Sequence, residues 1–245
     1  FCSKYGPMSS ENVKQILEKP FQRNLRILQD RFASYLRKEE KYLLTQNLED
    51  IISGNTKLPY VGNDSKLEQE RKRLAQKPNT FPYRMATITY AGSFFGAMQS
   101  MELDSLRYAM DIAETNGSID KQQKDWFMIA LGKALSRINN STGQFAQYIK
   151  PNENNLDIII KKRRKSTWNE FLSALDSISP IGTPDWRSKN QAFQKDAISL
   201  LSEIVNHKSK PAIVYADPPY SEAQYSRYYH ILDTLVDYRY PPAKG

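Results

Sequence analysis

At 245 residues the chain is long enough to build one or two domains with a proper core. Its 35 Lys+Arg against 27 Asp+Glu give a formal net charge of +8, which favours a polyanionic partner because cationic surfaces steer toward phosphates and gain from counterion release. One cysteine, Cys2, rules out an intramolecular disulfide; two histidines, His207 and His230, far from any cysteine pair, give no metal constellation; and no span of some twenty apolar residues or secretory signal marks a membrane or exported protein, so the chain reads as cytoplasmic.

In chain order the reading is helical first and mixed later. Ser9 or Ser10 caps a helix entry, and Val13, Ile16 and Leu17 follow at helical spacing. Leu25, Ile27, Leu28, Phe32, Tyr35 and Leu36 continue the pattern, with Pro20 expected to break or restart it. A further helix is predicted around Leu43 to Ile52, ended by Gly54-Asn55. The first segment is therefore 1–56. Residues 57–82, rich in Lys, Arg, Gln, Asn and Pro, suit an exposed connector or a nucleic-acid-facing arm. From 83 to 190 the chain reads as mainly helical, with amphipathic helices over Met98 to Ile112 and Trp126 to Ile138. Leu156 to Ile160 reads as a strand abutting a run of five cations, Lys161, Lys162, Arg163, Arg164 and Lys165. Such a run can grip a phosphate backbone or form a solvated loop. Ser166-Thr167-Trp168 opens another helix that Pro180 ends, and Trp186 lies in a turn-rich segment.

The most informative junction lies in the last segment, 191–245. The apolar run Ala212 to Ala216 reads as a buried parallel strand, and it delivers Asp217-Pro218-Pro219-Tyr220 at its carboxyl end, where open α/β sheets bind ligands. The exocyclic amine of adenine is a poor nucleophile because its lone pair is delocalised into the ring. A carboxylate such as Asp217, with the carbonyl of Pro218, can accept both amine hydrogens and favour a pyramidal nitrogen aimed at an activated methyl group. Two prolines stiffen the turn and carry no N–H to compete for those carbonyls. Tyr220 offers a flat face for a base swung out of the duplex. A strand followed by a proline-stabilised turn with a solvated Asp is the plain alternative. Beyond it, Tyr225, Arg227, Tyr228, Tyr229 and His230 interleave aromatics with cations; if helical, Tyr225, Tyr228 and Tyr229 share one face with Leu232, which also suits ordinary packing.

Asp217-Pro218-Pro219-Tyr220 resembles the catalytic motif of the amino-group methyltransferases that use S-adenosylmethionine. The continuation Tyr225-Ser226-Arg227-Tyr228-Tyr229-His230 resembles their Dam-like, alpha-type branch of adenine-specific DNA methyltransferases. Tyr90-Ala91-Gly92-Ser93-Phe94-Phe95-Gly96 through Met101-Glu102-Leu103-Asp104-Ser105-Leu106-Arg107 is similar to the middle segment of these enzymes, and Asn140-Ser141-Thr142-Gly143 with Tyr148 gives a third, looser likeness. The resemblance implies that Asp217 binds the target amine, Pro218 supplies its carbonyl and Tyr220 stacks on the flipped adenine, with Asp217 also beside the cofactor. It places Asp196, before the apolar stretch Ile198 to Val205, near the adenosyl part of S-adenosylmethionine; the alternative is an Asp in the first turn of a helix. It implies an α/β fold, a partial Rossmann-like methyltransferase with a large, mainly helical insertion, acting on the exocyclic amine of adenine in DNA in a bacterial restriction–modification or genome-marking system, with a cognate restriction endonuclease as a partner in the former.

The chain departs from that pattern in lacking the glycine-rich F-x-G-x-G loop; Tyr90-Ala91-Gly92-Ser93-Phe94 has Phe where the second glycine belongs. With Phe1 at the start and Gly245 a few residues after Pro241-Pro242, the expectation is an internal fragment of a larger enzyme. Related tetrapeptides serve enzymes acting on RNA or on protein glutamine, and a helical nucleic-acid-binding module without chemistry is the rival of a different class.

Overall fold

A computed structural model describes residues 6–55, 64–142, 145–205, 213–217 and 226–239. They divide into two units. The larger comprises Pro7–Ile178 and Ser226–Gly245, the smaller Phe1–Gly6 and Ser179–Tyr225.

The larger unit is built from helices. α1 (Ser10–Arg31) starts at Ser9, whose hydroxyl accepts from the Asn12 N–H, and places Val13, Leu17, Phe21, Leu25 and Leu28 on one buried stripe. That stripe keeps its register through Pro20, so the helix runs on where a break was expected: burial of five large side chains offsets a proline cost of roughly 3 kcal/mol. The chain turns only at Phe32, before α2 (Ala33–Thr45). Gln46 in the left-handed region ends α2, and α3 (Leu48–Asn55) follows. Within the polar stretch 57–82, α4 (Asp64–Gln76) buries Leu67 and Leu74. α5 (Met85–Tyr90) and α6 (Ala97–Thr115) carry the middle segment, and α6 packs mainly against α1. α7 (Lys121–Ile138), capped by Asp120, lies against α9 (Thr167–Asp176). Of the apolar residues anticipated for the core of α7, Trp126, Phe127, Ala130, Leu131, Ala134, Leu135 and Ile138 are buried and Ile129 is exposed.

Between them stands α8 (Leu156–Arg163), where a strand was expected. The helix fits the sequence better. In a strand Leu156, Ile158 and Ile160 would share a face, but Ile158 is 59% exposed while Ile159, Ile160 and Arg163, at helical spacing, are buried. Ile159 and Ile160 join Tyr42 and Ile51 in a small second core. α9 begins at Ser166, whose hydroxyl accepts from the Asn169 N–H.

The smaller unit holds α10 (Pro184–Ser188) and α11 (Ala197–Val205), and α11 buries none of its residues. Ile213–Asp217 follows without regular structure. Its Ile213 and Tyr215 are each 85% exposed. An apolar run becomes a strand only when neighbouring strands accept its backbone hydrogen bonds and cover its side chains, and among the described residues no strand pairs with it. The remaining part of the expected strand, Ala212, is outside the described residues. The larger unit closes with α12 (Ser226–Asp237).

The expected α/β, Rossmann-like fold is therefore corrected: among the described residues there is no β-strand, and the architecture is helical. Isolated bridges join Ala91 to Phe95 and Ser141 to Tyr148, each a single pair rather than a ladder.

Candidate functional site

Three stretches far apart in sequence meet in the larger unit. They are the α5–α6 connection at Tyr90–Gly96, the Asn140–Tyr148 segment, and the first turns of α12. The His230 ring stands 5.7 Å from Tyr90 and 5.6 Å from Phe94, and Phe94 is edge-on to Tyr148 at 5.9 Å. Backbone pairing holds this arrangement. The Asn140 N–H donates to the Phe94 carbonyl at 2.8 Å, and the Ile149 N–H donates to the Asn140 carbonyl at 2.9 Å. The Asn140 side chain donates to the Ile149 carbonyl at 2.7 Å, closing the segment onto itself. Gly92, with φ of +81°, makes the turn that brings Phe95 back toward Tyr90. Tyr90 Oη lies 2.9 Å from Thr234 Oγ1, tying α5 to the third turn of α12.

Buried carboxylates fix the helices that carry these stretches. Each sits at the N-terminus of a helix other than its own, where unpaired N–H groups and the helix dipole favour an anion. Glu39 on α2 accepts from the N–H groups of Ala97 at 2.5 Å and Met98 at 3.0 Å at the start of α6. Asp104 on α6 accepts from Ala86 and Thr87 at the start of α5, both at 2.8 Å, from the Thr87 hydroxyl at 2.7 Å and from the Tyr238 hydroxyl at 2.7 Å. Glu102 accepts from the Thr167 N–H at 2.6 Å and the Ser166 hydroxyl at 2.9 Å at the start of α9. Burial still dominates the titration of two of them: it pushes Asp104 up to about 6 against the lowering effect of its hydrogen bonds, and raises Glu102 above the usual carboxylate range. These residues were missed by reading α6 for its apolar face alone. Their signal was present in the sequence, as Glu102, Asp104 and Arg107 interrupt a stretch whose other members are buried.

The residues singled out in the sequence fall in different places. Asp217 ends the exposed run Ile213–Asp217 in the smaller unit. Pro218, Pro219, Tyr220 and Tyr225 lie outside the described residues, as does the side chain of Arg227 in the first turn of α12. Tyr228 is half-buried and Tyr229 exposed. Asp196 precedes α11 as its cap: Oδ1 accepts from the Ser199 N–H at 3.0 Å and from its hydroxyl at 3.1 Å, which lowers the carboxyl pKa. It is exposed.

The basic run continues α8 rather than following a strand, and its members diverge. Lys161 is exposed. Lys162 donates to the Asn139 carbonyl at 2.9 Å, and its pKa is lowered by burial and by the neighbouring Lys165. Arg163 is buried, donating to Tyr42 Oη and to the Ser93 carbonyl, both at 3.2 Å, and standing 3.8 Å from Glu39. Arg164 donates to the Leu43 carbonyl at 2.7 Å, and Lys165 pairs with Glu170 at 3.1 Å. Much of this charge thus joins α8 to its neighbours. Among the described residues no group of His, Cys, Asp and Glu could hold a metal ion, and no helix is long and apolar enough to cross a membrane.

Comparison with known proteins gives one class. Over 168 residues the chain is 24% identical to Modification methylase LlaI of Lactococcus lactis subsp. lactis, covering 67% of this chain and 24% of that protein. Over 158 residues it is 24% identical to Modification methylase StsI of Streptococcus sanguinis, covering 64% and 21%. Over 152 residues it is 23% identical to the Type II methyltransferase M.FokI of Planomicrobium okeanokoites, covering 62% and 20%. The matched region spans about a quarter of the length of these relatives or less. No protein-family model and no solved structure matches. These likenesses support the methyltransferase part of the expectation drawn from the sequence.

Proposed function

We propose that the chain is part of a DNA methyltransferase of a restriction–modification system, transferring a methyl group to the exocyclic amine of adenine. The observation that carries this reading is the similarity to three modification methylases. The tetrapeptide at Asp217 supplies the finer part. Asp217, with the Pro218 carbonyl, accepts the two amine hydrogens and localises the lone pair; Pro219 keeps the turn stiff; Tyr220 stacks on the extruded base, worth roughly 1–3 kcal/mol. S-adenosylmethionine supplies the activated methyl group. Asp196, exposed and held ionised by Ser199, is the side chain proposed to receive hydrogens of its adenosyl part. A duplex-DNA substrate and a cognate endonuclease belong to the same proposal.

The ring contacts of His230 with Tyr90 and Phe94 give the proposal a structural rationale. α12 starts six residues after Tyr220, and those contacts seat it on the segments that resemble the same enzymes. Nucleoside mass spectrometry of DNA from cells expressing the protein, as the cell makes it, tests the substrate. N6-methyladenine is the expected product; methylated cytosine, or methyl groups only in RNA or on protein glutamine, would contradict the proposal.

A further inference from the structure

Of the three tryptophans, Trp126 is buried, Trp168 is half-buried, and Trp186 keeps 55% of its surface in solvent. Among the described residues Trp186 meets no other aromatic ring, and its indole N–H has no hydrogen-bond partner.

The ring is nevertheless fixed. Gly182, with φ of +74°, lies beneath it: a Cβ there would stand 2.6 Å from Cε3 and 3.2 Å from Cδ2 and Cζ3 of the indole. Those atoms belong to the six-membered ring, so that ring rests on the backbone at Gly182, an approach that glycine alone permits. The turn is closed around it. Thr183 Oγ1 caps α10 by accepting from the Trp186 N–H at 3.2 Å. Arg187, itself buried, donates through Nη1 to the Gly182 carbonyl and through its backbone N–H to the Thr183 carbonyl at 3.0 Å.

An indole that served only to pack this loop would turn most of its apolar surface inward, since that burial is its contribution to stability. Here one face rests on Gly182 and more than half of the residue stays in water. A flat ring fixed before its ligand arrives loses little freedom on binding. Its match is another flat ring. Every nucleobase has a π-face, and stacking on an aromatic side chain tolerates any sequence. Bases inside a duplex are covered on both faces, so the partner is a base outside the stack, such as an enzyme acting on a base must create. The indole N–H adds a donor at the rim.

We infer that Trp186 is a stacking platform for an unstacked base of DNA, with Gly182 as the support that sets the plane of the ring. This inference rests on the proposed DNA substrate and adds a base-binding position to it, apart from the one proposed for Tyr220.

The test uses the protein as the cell makes it, unaltered and as Trp186→Phe, Trp186→Leu and Ile181→Ser, with thermal melting to show that all four remain folded. Leu keeps an apolar side chain without the flat ring, and Ile181, 82% exposed beside Gly182, reports on general apolar contact. Affinity for a short mixed-sequence single strand of DNA is measured together with indole fluorescence; the difference between the unaltered protein and Trp186→Phe isolates the signal of Trp186. The strand is expected to quench that signal. Trp186→Leu is expected to weaken binding by about tenfold, the size of one base stack, Trp186→Phe by less, and Ile181→Ser not at all. Full affinity in Trp186→Leu, no quenching of Trp186, or an equal loss in Ile181→Ser would overturn the inference and leave the DNA substrate standing. Tighter binding and stronger quenching with RNA of the same sequence would overturn the assignment to DNA. Absence of binding to single-stranded and duplex DNA by the unaltered protein would overturn both the platform and the proposed substrate.

Discussion

The carboxylate of Asp104 and the phenol of Tyr238 meet at 2.7 Å although 134 residues separate them in the chain. Tyr238 follows α12 directly, stacks on Tyr83 with ring centroids 4.5 Å apart, and accepts from the Met85 N–H at 3.2 Å. Asp104 at the same time holds the start of α5. One buried carboxylate therefore locks together α5, α6 and the end of α12.

That lock predicts a pH dependence. Burial raises the folded-state pKa of Asp104 to about 6, above its ordinary 3.8. A carboxyl whose pKa is raised by folding favours the native state while protonated, so its contribution is fully present below about pH 4 and is lost as pH rises through about 6. The shift corresponds to roughly 3 kcal/mol between those limits. Chemical denaturation between pH 4 and pH 7 is expected to show this loss superimposed on other groups, and Asp104→Asn to flatten it. An unchanged pH profile in the variant would show that Asp104 does not titrate in this range.

Tyr238→Phe removes one hydroxyl from the same cluster while preserving the ring. The expected cost is about 1 kcal/mol, the usual net value of a hydrogen bond, with some addition because its partner is charged. Urea denaturation measures it.

Gly96 marks a close approach. A Cβ there would lie 2.9 Å and 3.0 Å from the two oxygens of Glu39, the carboxylate that caps α6. Gly96→Ala is expected to lower stability by about 1–3 kcal/mol through displacement of a buried, hydrogen-bonded carboxylate. A variant as stable as the parent in thermal melting would mean that Glu39 moves without losing its cap.

Asn24, in the middle of α1, is fully buried. Its Nδ2 donates to the Tyr83 carbonyl at 3.0 Å and the Ser105 hydroxyl at 3.1 Å, and its Oδ1 accepts from the Tyr83 N–H at 2.8 Å. Asn24→Ala strands both backbone groups of Tyr83 in the core. The expected destabilisation is about 2–4 kcal/mol, read by denaturant titration, because each unsatisfied buried group costs roughly 1–3 kcal/mol.

The sequence made the helices legible where an apolar period and a capping side chain coincide. Ser9 and Ser166 each cap the helix that follows, whereas the cap at Asp120, which starts α7 ahead of the expected Trp126, went unread. It misled where one residue type pointed to a local outcome that packing overrode: Pro20 lies inside α1, and the isoleucines before Lys161 are helical because Ile159 and Ile160 pack with Tyr42 and Ile51 while Arg163 reaches Tyr42 and Ser93. The strand at Ala212 to Ala216 was inferred from apolar content alone, which says nothing about whether a partner strand is there to pair. Carboxylates that cap distant helices could be suspected from their place inside apolar faces, but their partners, such as Glu39 with Ala97, are set by tertiary contacts that no local pattern encodes. In the candidate site, the stretches at Tyr90, Tyr148 and His230 were each visible; that their rings meet was not.

The central claim rests on Asp217. Transfer of labelled methyl groups from S-adenosylmethionine to unmethylated DNA should be measured for the protein as the cell makes it, beside its Asp217→Ala variant, with duplex binding monitored in both. The account predicts label in adenine with the parent, and loss of transfer by at least about a thousandfold with binding retained in the variant, since the role proposed for the carboxylate is to act on the amine in the transition state. Transfer undiminished in Asp217→Ala would contradict it.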